Sequence, residues 1–246
     1  MVPPGPARLP PLDESDVSRV LAVVAHPDDM EYGAAAAVAR WTAAGIDVRY
    51  VLVTSGEAGI DGVTPEVAGP LRRQEERAGA EAVGVGVVEF LDHRDGVVEY
   101  GLELRRDIAR AIRRHRPDTV VSLTGRERFA GGGTNQADHR AVALAALDGA
   151  KDAGNRWIFP ELLDEGHEPW GGVRRVMYHG SPEPSHGGDV TGHVDAAVAS
   201  LQAHAAYLAG LSGDAPSPEE FLPMMAAGGG TALGVEAAVL FEVYDI

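Results

Sequence analysis

Val20-Leu21-Ala22-Val23-Val24-Ala25-His26-Pro27-Asp28-Asp29 decides the reading of this chain. Its first six residues form a continuous apolar run rich in β-branched side chains. That pattern suits a strand buried on both faces, as in a parallel sheet covered by helices. The next four put an imidazole and two carboxylates into a tight strand exit, nitrogen and oxygen donors suited to a divalent ion. The same residues also read as a helix cap at Asp28 or Asp29 with His26 lining a loop, and the stretch alone leaves both readings open.

Outward from this point the strand-then-helix unit recurs. Glu31 to Ala44 is Ala-rich and stops at Gly45, and Ile46 to Thr54 returns to strand character. Helices are expected over Glu66 to Val83, Leu102 to His115, Ala137 to Gly154 and Val190 to Leu208. Strands are expected over Val87 to Leu91, Thr119 to Leu123, Val173 to Tyr178 and Val235 to Tyr244. Such alternation predicts an α/β fold, a mainly parallel Rossmann-like sheet with helices on both faces. Pro3, Pro4, Pro6, Pro10 and Pro11 open the chain, so residues 1–17 are expected to be a flexible arm and 18–246 a single domain.

Composition removes several classes. The 246 residues carry 21 Lys plus Arg against 37 Asp plus Glu, a formal charge of −16 that offers no broad basic field to nucleic acid or an acidic membrane. There is no cysteine, so disulfides, Cys-based zinc sites and a thiol nucleophile are excluded. No apolar run approaches the ~20 residues of a membrane span or looks like a signal-peptide core. A soluble, cytoplasmic globular protein is expected.

In open α/β sheets ligands collect beyond the carboxyl ends of the strands. Polar residues gather there four times: at His26 to Asp29, at Thr54 to Glu57, at Asp92 to Gly96, and from Thr124 through Gly131-Gly132-Gly133 to Asp138-His139. His139, at the same edge as His26, could complete a three-ligand set with an open position.

Here the residues resemble the LmbE/PIG-L family of zinc-dependent N-deacetylases. The likeness is carried by Ala25-His26-Pro27-Asp28-Asp29-Met30-Glu31-Tyr32-Gly33, by Arg72-Arg73-Gln74-Glu75-Glu76, by Phe90 to Gly96, by Asp138-His139-Arg140 and by Ala203-His204. It implies that His26, Asp29 and His139 hold Zn2+ (other divalent ions fit the same set) and that Asp28 is the general base. It further implies that Arg72 and Asp95 hold sugar hydroxyls. One departure stands out: where the family usually has His-Pro-Asp-His, this chain has Gln136-Ala137-Asp138-His139. Gln136 can donate a hydrogen bond to an oxyanion but cannot supply a proton at neutral pH. Two functions are therefore expected: hydrolysis of the amide of an N-acetylglucosamine-type or related N-acyl amino-sugar conjugate, or sugar binding by a metal protein with little turnover.

Other features have plainer readings. Gly84-Val85-Gly86 precedes a strand and lacks a third glycine, so it is not a dinucleotide fingerprint. Gly131-Gly132-Gly133 is expected to be a mobile loop over the site. Arg105, Arg106, Arg110, Arg113, Arg114 and Arg116 read as a solvated helix face. His167, His179, His186, His193 and His204 read mostly as surface or structural residues, with His186 in a loop that could approach substrate. Gly228-Gly229-Gly230 reads as a connector, and Phe221 to Met225 as a subunit contact of a homo-oligomer or, more simply, core filling.

Overall fold

The computed structural model describes residues 8–211 and 216–246, so Pro3, Pro4 and Pro6 of the expected arm lie outside the described residues. Its strands are β1 (Arg19–Val24), β2 (Asp47–Leu52), β3 (Val87–Phe90), β4 (Thr119–Leu123), β5 (Arg175–His179), β6 (His186–Asp189) and β7 (Ala238–Asp245). Its helices are α1 (Asp29–Gly33), α2 (Ala35–Ala43), α3 (Pro65–Ala82), α4 (Leu102–His115), α5 (Ala137–Gly154), α6 (Glu161–Asp164), α7 (Val194–Gln202), α8 (Ala205–Gly210) and α9 (Pro218–Leu233). The strands form one sheet in the order β3-β2-β1-β4-β5-β7-β6, parallel through β5, with β7 antiparallel to both neighbours.

β1 lies at the centre, and alternation along it builds two cores. Val20, Ala22 and Val24 face a layer that includes Trp41, Tyr50 and Leu201, whereas Leu21, Val23 and Ala25 face Leu104, Ile108 and Val142. Helices thus cover both faces, as the run of apolar residues requires. The strand order reverses at β1, with β2 on one side and β4 on the other. The residues after β1 and after β4 therefore flank one crevice, the usual ligand position in open α/β sheets.

Five expectations change, the last at Arg113. The helix expected over Glu31 to Ala44 is divided at Ala34, where φ is −131°, into α1 and α2. The helix expected from Val190 starts later, because the Val190 N–H donates to Ala237 and Thr191 turns onto the Asp189 side chain; it breaks again at Ala203-His204. Gly228-Gly229-Gly230 is not a connector but the interior of α9. A Cβ on Gly229 would lie 2.2 Å from the Ala238 carbonyl oxygen and one on Gly230 2.5 Å from that of Glu236, so only glycine lets this helix sit against the chain entering β7. His186 belongs to the edge strand β6, whose Gly187 exchanges backbone hydrogen bonds with Pro10 and Leu12. Residues 9–12 thus cover that edge, which leaves it less open to foreign strands.

Arg113 departs from the solvated helix face. It is buried on α4, and its guanidinium donates to the carbonyl oxygens of Ala153, Asn155 and Ile158 at the end of α5. Carbonyls left open where a helix stops satisfy the cation. Among the described residues, no helix is long and apolar enough to cross a membrane.

The β1–β4 register on which the crevice depends is stapled by Asp118. Its carboxylate accepts from the Ser18 N–H (2.8 Å), the Ser18 hydroxyl (2.6 Å) and the Arg19 N–H (2.9 Å). Burial opposes its charge, yet the Ser18 and Arg19 donors hold its pKa below the ordinary 3.8. Such a group adds stability that is complete above its unfolded-state pKa and is lost as pH falls through the folded value. Asp118→Ala is therefore expected to cost about 1–3 kcal/mol at pH 7. Urea denaturation should show the difference from wild type shrinking as the pH drops below about 4.

Candidate active site

The turn leaving β1 is held by its own backbone. The Asp29 Oδ2 accepts from the N–H groups of Ala25 (3.0 Å) and His26 (2.9 Å), which leaves Oδ1 free to face His139 Nε2 at 3.1 Å. His26 Nδ1 lies 3.0 Å from that same nitrogen. Three donor atoms from two strand ends thus converge in a buried spot.

The surroundings fix which ring nitrogens carry protons. Asn135 donates through Nδ2 to the carbonyls of Thr124 (2.6 Å) and Arg126 (2.9 Å), so its Oδ1 must face His139 Nδ1, at 2.8 Å, and accept from it. His26 Nε2 faces Asp95 Oδ1 (3.0 Å) and Asp138 Oδ2 (3.3 Å) and donates to them. Asp138 is itself held by the N–H groups of Gly96 and Val98. With both outer nitrogens protonated, two lone pairs face each other across 3.0 Å beside a carboxylate. Only a cation satisfies that arrangement. Outer partners of this kind orient histidines that bind metals, so the donor set fits a divalent ion.

Electrostatics agree. Burial opposes a charge on His26, but hydrogen bonds to Asp138 and Asp95 and the nearby Asp29 outweigh it and lift its pKa to about 10. Without an ion, a proton supplies the positive charge. Burial likewise opposes the Asp29 carboxylate, yet His139 and His26 hold it well below the usual range.

Asp28 points elsewhere. Its backbone is left-handed, with φ 88°, a strained conformation for a residue with a side chain. Glu76 accepts from its N–H at 3.1 Å, and Arg72 donates to its Oδ2 at 2.8 Å and to the Pro27 carbonyl at 2.6 Å. Burial raises the Asp28 pKa to about 6 against the pull of Arg72. Arg72 is stacked 3.9 Å over the Tyr207 ring and is itself buried, with its other terminal nitrogen 3.2 Å from His204 Nδ1. The residue implied to hold sugar hydroxyls thus spends its terminal nitrogens on shaping the turn.

All seven residues singled out from the sequence, His26, Asp28, Asp29, Arg72, Asp95, Gln136 and His139, line one cavity of about 620 Å³. Gln136 is exposed, and its side chain makes no hydrogen bond to any described residue. The Phe129 to Gly133 segment forms part of the wall, closed on itself by a Phe129 N–H to Gly133 bond.

Some residues escaped the sequence. His179, at the end of β5, is a buried wall residue whose pKa is pushed down to about 4 by burial, so its ring is neutral. A Cβ on Gly33 would lie 1.9 Å from its Nδ1, which explains the glycine there. Its position directly after a strand was the available signal. His204, which reads as surface or structural from the sequence, is structural: it lies buried within 4 Å of Glu31 and Glu76, behind Arg72. His186 is not among the residues lining the cavity, and its Nδ1 meets Ser185 instead. Phe221 and Met225 line the cavity, whereas Leu222 enters the core.

A family model described as GlcNAc-PI de-N-acetylase, PIG-L, matches residues 21–150, the segment that holds all seven candidate residues. The chain belongs to the PIG-L family. Within the family's wider circle it is 30% identical to the diacetylchitobiose deacetylase of Thermococcus kodakarensis, across 77% of this chain and 70% of that protein. It is 32% identical to the 1D-myo-inositol 2-acetamido-2-deoxy-alpha-D-glucopyranoside deacetylase of Kineococcus radiotolerans, across 81% and 72%. Among solved structures, the N,N'-diacetylchitobiose deacetylase from Pyrococcus horikoshii has the same fold, with a TM-score of 0.84 at 23% identity over 94% of this chain and 85% of that one.

The tautomer argument sets a direct expectation for the metal-free chain. Zn2+ titrated by calorimetry should bind once per chain and displace about one proton from His26 near pH 7. Asp29→Ala should abolish that binding, and Asn135→Ala, which frees the His139 ring, should weaken it by about 10–100-fold.

Proposed function

We propose that this chain is a zinc-dependent N-deacetylase that hydrolyses the amide of an N-acetylglucosamine-type or related N-acyl amino-sugar conjugate. The observation that carries this reading is the convergence of His26 Nδ1, Asp29 Oδ1 and His139 Nε2 beside a buried Asp28 in one cavity. Family membership and the names of the two relatives support it. A divalent ion bound by these three residues would supply Lewis acidity toward the amide carbonyl and a lowered pKa for water.

The chain's own groups supply the rest. Asp28, with a pKa near 6, is ionised at neutral pH yet basic enough to take the proton of an attacking water. Arg72 holds the carboxylate, and Glu76 the backbone N–H of the same residue, in place while it does so. As the water oxygen bonds to the amide carbon, the Gln136 amide donates to the carbonyl oxygen that gains charge. The C–N bond then breaks, and the proton held on Asp28 passes to the departing nitrogen, giving an acid and a free amine. Asp95 and Arg72 line the cavity beside the space for sugar hydroxyls. Residues 18–246 serve this chemistry as a single domain.

Acetate release from an N-acetylglucosamine conjugate tests the proposal. Activity should vanish on chelation and return with Zn2+; no release from any N-acyl amino sugar by the zinc-loaded chain would refute it. Asp28→Asn should keep the metal and lose about 10²–10⁴-fold in turnover.

Gln136 decides between hydrolase and silent binder. Gln136→Ala should lower turnover by no more than the ~10²–10³-fold typical of one oxyanion donor. Gln136→His should bring no large gain, because Asp28 already returns the proton. A histidine variant far more active than a nearly inert wild type would favour the binding protein.

A further inference from the structure

The cavity has two unlike halves. Its floor is the polar cluster just described. Its wall is built by Tyr32 of α1 with Phe221 and Met225 of α9, and the Tyr32 and Phe221 rings meet edge to face with centroids 5.7 Å apart. Met225 is 45% exposed at the mouth, and Met224 beside it is 60% exposed. A flexible thioether at a site entrance adapts to varied apolar groups.

Charge points the same way. Arg72 is the only Lys or Arg among the described residues lining the cavity, and its terminal nitrogens are spent on Asp28, Pro27 and His204. Asp28, Asp29 and Asp95 share that lining, and the whole chain carries −16. Apart from the metal site, no side-chain cation among the described lining residues is left to receive a carboxylate or phosphate on the substrate, and the long-range field repels one. The volume of about 620 Å³ lies within the ~300–1,000 Å³ typical of small-molecule sites and far exceeds an acetamide.

From these observations we infer that Tyr32, Phe221 and Met225 form an apolar subsite that takes a hydrophobic substituent on an uncharged N-acyl amino sugar. This rests on the deacetylase reading above and narrows its substrate class. Two parts of such a substrate can carry the substituent, the aglycone or a lengthened acyl chain.

The zinc-loaded full chain is assayed on four compounds: methyl, octyl and carboxymethyl N-acetylglucosaminide, and methyl N-octanoylglucosaminide. At least one octyl-bearing compound should show a KM about tenfold or more below the methyl N-acetyl reference, since each buried methylene contributes about 0.8 kcal/mol. Which of the two gains identifies the part of the substrate that meets the wall. The carboxymethyl compound should be no better than the reference. Met225→Ser, at an exposed position where folding is little affected, and Phe221→Ser should each cut the octyl-to-methyl ratio of kcat/KM several-fold. Equal KM values for all four, a preference for the carboxymethyl compound, or a ratio untouched by both variants overturns the subsite. Failure to hydrolyse any of them defeats the deacetylase reading alone. Calorimetric binding of the octyl and methyl compounds then still decides the subsite, which requires the octyl compound to bind more tightly.

Discussion

Two imidazole nitrogens held 3.0 Å apart require a positive charge between them, a proton on His26 in the metal-free chain or a divalent ion in its place. Neither ring can turn away. His139 is tied through Nδ1 to Asn135, whose amide is tied in turn to two carbonyls at the exit of β4. His26 is tied through Nε2 to Asp95 and Asp138, and Asp138 is fixed by backbone N–H groups of the segment after β3. Three strand ends thus hold the pair from outside, while Asp29 adds negative charge from within. Each support is a backbone or buried side-chain bond, so the geometry depends on the sheet being built in the correct register. The staple from Asp118 to Ser18 and Arg19 lies at the far end of the same two strands.

Asp28 shows what is sacrificed to reach this arrangement. A non-glycine residue at φ 88° and a buried carboxylate are each unfavourable. The compensation lies behind the turn, where Arg72 neutralises the charge and Glu76 holds the strained N–H. That shell is itself dense in charge: Glu31, Glu76 and His204 are buried together, and burial beside Glu31 pushes the Glu76 carboxyl well above its ordinary pKa. A neutral Glu76 carboxyl still accepts the Asp28 N–H while sparing the site one buried charge. Stability is given up around one turn so that a single carboxylate stays basic near neutrality.

The parallel half of the fold was legible because its signals are local. A β-branched run suits a strand buried on both faces, so β1 could be read directly, whereas the turn after it read equally well as a metal site or a helix cap until the family motif was considered. The shared edge pointed to His26, one of the two aspartates and His139, and the choice of Asp29 over Asp28 came from the family resemblance. What escaped depends on partners distant in sequence. Asn135 matters only because Thr124 and Arg126 turn its amide. Arg113 reads as a solvated cation until α5 ends against it. α9 was missed because three glycines and an internal proline mark it as loop, whereas contact with the entry to β7 makes those glycines necessary. Arg72 lines the cavity, but its engagement with Asp28 is a property of the folded turn.

The division between legible and hidden parts follows a division of labour. Groups that must keep fractional-ångström geometry sit on the turn after β1, the segment after β3 and the first turn of α5, where neighbouring backbone bonds leave little freedom, and all of them fall within residues 21–150. The wall facing them comes partly from outside that segment, from His179, Tyr207, Phe221 and Met225. Phe221 and Met225 stand on a helix anchored elsewhere, through Leu222, Ala226 and the glycine contacts with the chain entering β7. Side chains on its cavity face can therefore change without shifting a strand end or a tautomer. The physical consequence is that the buried donor cluster and the apolar wall rest on nearly separate sets of contacts: the first on a network that tolerates little change, the second on a helix face that can be altered without disturbing it.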